Sequence, residues 1–331
     1  YNTSLKLQKS KIREVNVFRR TTMNTTPKVN VLMATYNGEK HIIKQLDSII
    51  AQTYDNITIY IRDDGSTDNT VAVIQQYIRD NTSNKQIVLL DNDCKNLKCP
   101  MSFYEIIKNC PAADYYSLCD QDDYWYPDKI QWAVDKLEQE HTSLPLLYFS
   151  ACDYQTADGT LIRKSPLQSD PTPLEHVIYH TPGSGFTIVF NEAIRRKMVL
   201  NTTPSREMHD RWLIRGAVCF GKTIYDPRST AAHIRHEEAV TAGDSDNKHL
   251  LFYFMKEELF GNTVPQQKAD VAYFYKTFEN ELKPEHKKIL RTFAAANTAG
   301  LWFKKLFYPK RLRKRLPGEI ALRFLFLLGR L

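Results

Sequence analysis

The chain has 331 residues, and its composition is typical of a globular protein with one large or two smaller domains, since 42% of the residues are hydrophobic and 25% are charged. Its uninterrupted apolar runs, such as Phe324 to Leu328, are far shorter than the ~20 residues that a membrane-spanning helix needs. No apolar signal-peptide segment follows the first basic residues, and the six cysteines form no CxxC pair. We therefore expect a cytosolic protein with reduced thiols.

Residues 1–26 are predicted to be an N-terminal extension, because they are polar and basic and show no hydrophobic periodicity. From residue 27 to about residue 140, short apolar runs alternate with segments of helical periodicity. This alternation predicts an α/β fold of the Rossmann type, with a mainly parallel sheet and helices on both faces. The strands are predicted at residues 29–34, 57–61, 86–90 and 115–119, and helices are predicted to begin near Ser66 or Thr67 and at Pro127.

Residues 141–243 show a more mixed pattern, with a predicted helix from His209 to Phe220. Strands are predicted at residues 146–153, 185–190, 222–225 and 229–234. Within this part, Gly216 to Thr223 satisfies the formula GxxxxGK[ST], but a phosphate-binding loop needs a strand before it and a helix after it. The predicted order is the reverse, so we reject a phosphate-binding loop and interpret Gly221 as a helix stop. Residues 244–331 are predicted to be helical.

The net charge of +7 is concentrated at the end of the chain, because residues 301–331 hold nine Lys and Arg against a single Glu. Bulky apolar residues such as Trp302 and Phe303 alternate with these cations, a pattern that favours a segment lying on a membrane surface. The alternative is a C-terminal helix that packs on the core and exposes a polar face. Nucleic acid is not expected as a partner, since no recognisable nucleic-acid-binding module carries the charge.

Polar clusters follow three of the predicted parallel strands, namely Thr35-Tyr36-Asn37, Asp63-Asp64 and Asp120 to Asp123. Ligands of such sheets bind outside the carboxyl ends of the strands. The Asp-x-Asp of the third cluster offers two oxygen ligands, which suits Mg²⁺ or Mn²⁺ bridging the diphosphate of a substrate. The alternative for this cluster is a solvated acidic turn.

Three motifs together resemble glycosyltransferase family 2 and its GT-A fold. They are Val31-Leu-Met-Ala-Thr-Tyr-Asn-Gly-Glu39, Ile61-Arg-Asp-Asp-Gly-Ser-Thr-Asp-Asn-Thr70 and Cys119-Asp-Gln-Asp-Asp-Tyr-Trp-Tyr-Pro-Asp-Lys-Ile130. The form Asp-Gln-Asp-Asp-x-Trp, with His209-Asp-Arg-Trp-Leu213 downstream, is similar to the bacterial rhamnosyltransferase branch. The resemblance covers residues 28–243 and implies that residues 27–140 bind a nucleotide-sugar and residues 141–243 an acceptor.

The resemblance implies how the donor would be held. Tyr36 would stack on the nucleobase, although it could equally pack over the following helix. Asp64 would accept a hydrogen bond from the base imide N–H, which uracil and thymine share. Thr35, Asn37 and Asp63 would complete the nucleotide site, although Asp63 could instead shape its turn. The carboxylates of Asp120 and Asp122 would hold the divalent cation on the diphosphate, and His236 would either complete that site or have a structural role.

The resemblance also assigns Asp210 as the general base of an inverting transfer. Because Asp210 lies in the first turn of a predicted helix, we expect the helix dipole to keep its pKa low and its carboxylate ionised. The candidates for sugar and acceptor contacts, several of which could equally pack in the core, are Asp123, Trp125, Gly185, His209, Arg211 and Trp212.

The resemblance implies an enzyme that transfers a sugar, most readily L-rhamnose from dTDP-rhamnose, to a bacterial surface polysaccharide or a lipid-linked acceptor. It would work on the inner face of the cell membrane, which it would contact through its basic tail, and self-association is compatible with the sequence. The alternatives are transfer of another hexose from a UDP-sugar, a sugar nucleotidyltransferase and a catalytically silent membrane-binding module. The nucleotidyltransferase is disfavoured because the segment after the first strand lacks a glycine-rich, basic phosphate loop.

Overall fold

The computed structural model describes residues 26–91, 95–203, 206–235, 263–296 and 298–331. Nine strands in these residues form one mixed sheet in the order β3-β2-β1-β4-β8-β6-β9-β5, with β7 paired to β6 at one side. The first four strands are mutually parallel, as predicted. The strands are β1 Val29–Thr35, β2 Ile57–Asp63, β3 Gln86–Leu89, β4 Tyr115–Cys119, β5 Asp123–Trp125, β6 Leu146–Thr156, β7 Leu161–Lys164, β8 Val189–Asn191 and β9 Lys222–Arg235.

The helices of the described residues lie on both faces of this sheet, which confirms the predicted α/β architecture. Short 3₁₀ and π turns occur at Leu174–Val177, Gly185–Thr187 and Arg196–Leu200. The α-helices are α1 Ile42–Ile50, α2 Thr70–Asp80, α3 Met101–Asn109, α4 Lys129–Leu137, α5 Glu192–Arg195, α6 His209–Phe220, α7 Thr263–Phe278, α8 Pro284–Ala294, α9 Ala299–Leu306 and α10 Leu316–Leu327.

The sheet separates two hydrophobic cores. Strand β1 shows why, since Val31 and Met33 enter one core while Leu32, between them, enters the other, as the two-residue period of a strand requires. Helices α1, α2 and α4 cover the first core. Helices α3 and α6 cover the second core, together with apolar residues of α7 to α10. The C-terminal helices therefore pack on the same face as the helix that begins at His209.

Several predicted boundaries were wrong. Residues 185–190 form only a 3₁₀ turn and the short strand β8, and the two strands predicted within residues 222–234 are the single strand β9, whose register on β6 shifts twice. Helix α2 begins at Thr70, because the Ser66 hydroxyl bonds Asp63 instead of capping a helix. Helix α4 begins at Lys129, two residues after Pro127.

Gly221 lies between α6 and β9, so the rejection of a phosphate-binding loop is confirmed. Helix α6 ends at Phe220 with Gly221 as its C-cap, which confirms the predicted helix stop, although the φ of −155° at Gly221 is not left-handed. A glycine is needed there for another reason, since a Cβ would lie 1.8 Å from the carbonyl oxygen of Pro145.

The described residues contain no helix that is both long and apolar enough to cross a membrane. Five of the six cysteines lie in the described residues and carry free thiols, whereas Cys94 lies outside them. The predicted boundary between residues 243 and 244 also lies outside the described residues, as does all but the last residue of the predicted extension 1–26.

A buried ion pair fixes the segment that leads into α6. The guanidinium of Arg215 donates to both carboxylate oxygens of Glu207, at 2.7 and 2.8 Å, and to the carbonyls of Val177 and Ile178, each at 3.1 Å. Both side chains of the pair are fully buried. The hydroxyl of Tyr104 donates to the carbonyl of Glu207 at 2.9 Å, which ties the same segment to α3.

We expect Arg215→Met to lower the free energy of unfolding by about 3–5 kcal/mol, because the Glu207 carboxylate would lose its two-point partner in a buried site. The matched control is Arg196→Met, which breaks the 2.9 Å pair of an exposed arginine with Glu192 and should cost less than about 1 kcal/mol. Urea denaturation of the three proteins measures both effects. Equal losses at the two positions would contradict this role of the buried pair.

Candidate functional site

The three polar clusters meet at one edge of the sheet. Strand β1 lies between β2 and β4 and is parallel to both, with Thr35 opposite Asp63 and Met33 opposite Cys119. The segments that follow these strands therefore leave the sheet side by side. This is the arrangement expected at the ligand-binding edge of a parallel sheet.

The segment after β1 is held against the segment after β2. Asn37, whose φ of 49° is left-handed, donates its N–H to the Ser66 hydroxyl at 2.9 Å and accepts the N–H of Thr67 on its side-chain oxygen at 2.8 Å. The N–H of Gly38 donates to the Thr70 hydroxyl at 2.7 Å. These contacts give Asn37 a positioning role beside the predicted nucleotide site.

Tyr36 is 46% exposed at this edge, as a stacking platform for a nucleobase requires. Its backbone is clamped by the Gln121 side chain. Gln121 Oε1 accepts the N–H of Tyr36 at 2.9 Å, and Gln121 Nε2 donates to the Tyr36 carbonyl at 3.0 Å. Gly38 makes room for this clamp, since a Cβ there would lie 2.3 Å from Gln121 Oε1. Sequence reasoning missed Gln121, because its partner is the backbone of another segment.

Asp63 mainly shapes the turn after β2. One carboxylate oxygen accepts the N–H groups of Gly65 and Ser66 at 3.0 and 2.9 Å, and the other accepts the hydroxyl of the buried Thr35 at 3.2 Å. Of the two roles weighed for Asp63, the contacts support the structural one. Thr35 therefore also has a structural role in this turn, because its hydroxyl donates to the Asp63 carboxylate.

Asp64 is buried and already engaged. Its carboxylate pairs with Arg62 and accepts the N–H groups of Leu97 and Lys98 at 2.9 and 2.7 Å. A carboxylate offers about four lone-pair positions, so the predicted nucleobase N–H would have to use the remaining one or replace one of the backbone donors. Arg62 and residues 97–98 were not among the predicted site residues.

Four carboxylates crowd the end of β4. Burial raises the pKa of Asp120 well above its usual range, and the charges of Asp123, Asp122 and Asp210 raise it further. Carboxylates that repel one another in this way are stabilised in their ionised form by a cation. Asp120 and Asp122 are partly exposed at this edge, whereas Asp123 lies beneath them and is only 2% exposed.

Asp123 is paired with His233 across the ladder between β5 and β9. Oδ1 of Asp123 lies 2.8 Å from Nδ1 of His233, and this hydrogen bond raises the pKa of the imidazole. Burial raises the pKa of Asp123 to about 6 although His233 opposes that shift. His233 is thus the histidine that the structure brings to the acidic cluster. The predicted ligand His236 lies outside the described residues.

The described residues include no group of three His, Cys, Asp or Glu side chains arranged to hold a metal ion. Mg²⁺ commonly takes only one or two carboxylates from the protein and completes its shell with phosphate oxygens and water. Asp120 and Asp122 fit that requirement, because they are two partly exposed carboxylates, one residue apart, at the edge of the sheet where ligands of parallel sheets bind. A cavity of about 120 Å³ adjoins Asp122, and the cationic residues that line it are Lys40 and Lys44.

Asp210 lies in the first turn of α6, facing the acidic cluster closely enough to raise the pKa of Asp120. The expectation that the helix dipole would keep its own pKa low is wrong. Burial raises the pKa of Asp210 to about 6, outweighing the hydrogen bond from the Arg211 N–H at 2.6 Å. A carboxylate with this pKa is well matched to accepting a proton near neutral pH.

The residues around Asp210 divide into packed and accessible ones. His209 is buried, stacks on Phe103 with ring centroids 4.1 Å apart, and stays neutral because burial lowers its pKa to about 3. Gly185 serves this packing, since a Cβ there would lie 2.8 Å from Nε2 of His209. Arg211 is partly exposed and donates to the Thr181 hydroxyl at 3.2 Å.

Both tryptophans proposed for the sugar or acceptor site lie in the core. Trp125 is 1% exposed, under the ammonium group of Lys129, which lies 4.2 Å from its ring centroid. Trp212 is fully buried and donates its indole N–H to the Met198 carbonyl at 2.7 Å. Their burial agrees with the packing alternative and leaves no face for a carbohydrate.

The chain matches the family model for glycosyl transferase family 2 over residues 30–200. It therefore belongs to glycosyltransferase family 2, and it is a glycosyltransferase that uses a nucleotide-sugar donor. The matched region contains the ends of β1, β2 and β4 but stops before Asp210.

Several relatives are similar to this chain. It is 43% identical to a dTDP-rhamnosyl transferase, RfbG of Shigella flexneri, over 108 residues, which are 32% of this chain and only 36% of that protein. It is 26% identical to a glycosyltransferase of Rickettsia typhi over 81% of this chain and 88% of that one. WfaP of Escherichia coli, a UDP-Glc:α-D-GlcNAc-diphosphoundecaprenol β-1,3-glucosyltransferase, is 32% identical over 38% of this chain and 45% of its own length.

Solved structures of glycosyltransferases share the GT-A fold with this chain. S. aureus TarS 1–349 in complex with UDP-GlcNAc has a TM-score of 0.52 at 16% identity, over 92% of this chain and 88% of that one. The mannosyltransferase PcManGT from Pyrobaculum calidifontis, in complex with GDP-Man and Mn²⁺, has a TM-score of 0.50 at 13% identity, over 98% and 92% of the two chains.

We expect Gly38→Ala to weaken nucleotide-sugar binding about tenfold, because the new methyl group overlaps the Gln121 amide that clamps Tyr36. Titration calorimetry measures the affinity. Gly300→Ala is the matched control, since its methyl group meets no atom within 4 Å. The overlap in Gly38→Ala should also lower the melting temperature. Adding Gln121→Ala removes the overlapping amide, so the double variant should regain the melting temperature but not the affinity. Unchanged affinity in Gly38→Ala would contradict the role of the clamp.

Proposed function

We propose that the protein transfers L-rhamnose from dTDP-rhamnose to a hydroxyl group of a bacterial surface polysaccharide or its lipid-linked precursor. The observation that carries this proposal is the convergence, at one edge of the sheet, of an exposed Tyr36, the Asp120–Asp122 pair and Asp210. The choice of rhamnose is supported by the local identity with the dTDP-rhamnosyl transferase. The enzyme would act in the cytoplasm, at the inner face of the cell membrane.

The donor would be held by groups that the fold already positions. Tyr36 would stack on the base, and Asp64 would receive the imide N–H. Asp120 and Asp122 would hold Mg²⁺ or Mn²⁺ against the diphosphate, where the cation, when bound, neutralises the charge that develops on the leaving group. Asn37 and Asp63 would act indirectly, since their side chains are used within the two loops.

Asp210 would accept the proton of the acceptor hydroxyl. As the acceptor oxygen bonds to the anomeric carbon from one side, the bond from that carbon to the diphosphate breaks on the other, so the configuration inverts and the nucleoside diphosphate leaves. The carboxylate must be ionised to act, and its raised pKa increases its basicity. Arg211, partly exposed beside it, would contact the acceptor.

A second candidate is the transfer of another hexose from a UDP-sugar. The imide N–H proposed for Asp64 is common to uracil and thymine, so the base contact does not separate the two nucleotides. The similarity to a glucosyltransferase that uses UDP-Glc favours keeping this alternative.

The donor is tested by incubating the protein with dTDP-rhamnose and a panel of UDP-sugars and measuring the nucleoside diphosphate released. We expect dTDP to be released in the presence of Mn²⁺ or Mg²⁺, and EDTA to reduce the rate to background because the diphosphate loses its counter-charge. Asp122→Asn should weaken Mn²⁺-dependent donor binding in calorimetry. Release from a UDP-sugar alone would overturn the rhamnose assignment, and full activity in EDTA would overturn the cation site.

Asp210→Asn should lower kcat by about 10²–10⁴-fold and leave donor affinity within about twofold, because only proton acceptance is lost. In the wild type, the rate should fall as the pH drops below about 6, where Asp210 becomes protonated. A bound cation would favour the ionised carboxylate and move this limb to lower pH. This fall in rate at acidic pH is measured from the pH dependence of kcat. If the residual activity of Asp210→Asn shows the same fall, Asp210 is excluded as the base.

A further inference from the structure

The last two helices carry a concentrated set of exposed apolar side chains. Of the fifteen large hydrophobic residues that are exposed in the described part of the chain, seven lie between residues 303 and 328. We call these seven the C-terminal apolar face. They are Phe303, Phe307, Leu316, Ile320, Phe324, Leu327 and Leu328.

Helix α10 is apolar on both sides. Leu316, Ile320 and Phe324 follow one another at four-residue intervals and are 52%, 61% and 44% exposed, so they form one outward stripe. On the opposite side, Leu325 and Phe326 are buried in the core. The helix packs on the core, as the alternative for the tail requires, but its outer stripe is apolar where that alternative expects a polar face.

The C-terminal apolar face belongs to a structured unit. The guanidinium of Arg323 donates to the carbonyls of Lys305, Leu306, Tyr308 and Lys310 at 2.7–2.9 Å, and to Glu319 at 2.7 Å. The indole N–H of Trp302 donates to the Phe326 carbonyl at 2.6 Å, which joins α9 to α10. Binding through such a preformed surface costs little ordering entropy.

The loop between α9 and α10 adds positive charge beside this face. Its exposed cations are Lys310, Arg311, Lys314 and Arg315. Residues 301–331 contain a single acidic residue, Glu319 of α10. It is buried and accepts the N–H groups of Leu312 and Arg313, each at 2.8 Å. An apolar face bordered by cations complements an anionic lipid surface. A second copy of the chain is a poorer occupant, because like charges would meet.

We propose that the C-terminal apolar face inserts into the boundary between headgroups and acyl chains of an anionic lipid bilayer, while the cations of residues 310–315 contact lipid phosphates. This inference specifies the membrane contact of the proposed function. It rests on that function only for its purpose, which is to bring the site to a lipid-linked acceptor.

Contacts connect this surface to the acceptor end of the site. Tyr308 donates its hydroxyl to Glu175 at 3.1 Å. A few residues further along the chain, Arg313 and Arg211 both add to the effect of burial that lowers the pKa of His180 to about 3. His180 is thus influenced by both the basic loop and Arg211, the residue that follows the proposed base Asp210.

The test is co-sedimentation of the full chain with vesicles of phosphatidylcholine, with or without about one-third phosphatidylglycerol, in the absence of any sugar. We expect binding to the anionic vesicles, weakened at least about tenfold by Ile320→Ser with Phe324→Ser. The charge reversals Lys314→Glu and Arg315→Glu should weaken binding and reduce its dependence on salt. The matched control is Leu161→Ser with Leu167→Ser, which changes two exposed leucines elsewhere.

Each outcome decides the matter. Equal vesicle binding by the wild type and Ile320→Ser/Phe324→Ser, with thermal unfolding confirming folded proteins, would overturn the proposal. So would a lipid-free dimer in sedimentation velocity that these substitutions dissociate, since a second copy would then cover the face. Donor turnover on a soluble acceptor is measured separately. Its failure with intact vesicle binding would count against the proposed function alone, and turnover without vesicle binding would count against this inference alone.

Discussion

The candidate site depends on the carboxylates that are gathered, in a largely buried setting, at the end of β4. Asp120, Asp122 and Asp123 follow one strand within four residues, and Asp210 joins them from the start of α6. The fold tolerates this arrangement because Asp123 is paired with His233 from the neighbouring strand β9. The remaining negative charge lies beside solvent, so a divalent cation with a diphosphate would relieve it rather than disturb the structure.

The rest of the site is built by using polar side chains to hold backbone. Backbone N–H groups of the turns and of the segment after β1 donate hydrogen bonds to the side chains of Asn37, Asp63 and Gln121. What remains accessible is a small set of groups at fixed spacing, chiefly Tyr36 and the partly exposed carboxylates. Preorganisation of this kind places the ordering cost in folding and not in ligand binding.

Much of the fold could be predicted from sequence, because the period of the apolar residues and the polar residues at strand ends are local signals. They located the first four strands and placed three clusters at one edge. The exposure of Trp125, Trp212 and His209 could not be predicted, since an aromatic side chain near a motif packs inward or outward according to distant neighbours. The prediction of a low pKa for Asp210 was wrong for a related reason. The position of Asp210 at a helix start can be predicted from the sequence, but the burial that outweighs the helix dipole cannot. Gln121 and His233 required the pairing of segments about 85 and 110 residues apart along the chain.

The carboxylate of Asp64 already accepts three hydrogen bonds, which has a thermodynamic consequence for a nucleotide that enters the site. Two backbone amides and Arg62 donate these bonds, so a base that takes the place of one amide exchanges one hydrogen bond for another. Such an exchange has a small net free energy, whereas a base without a matching donor would leave the displaced partners unsatisfied. The base contact would then determine which nucleotides bind, and most of the binding free energy would come from the contacts to the diphosphate.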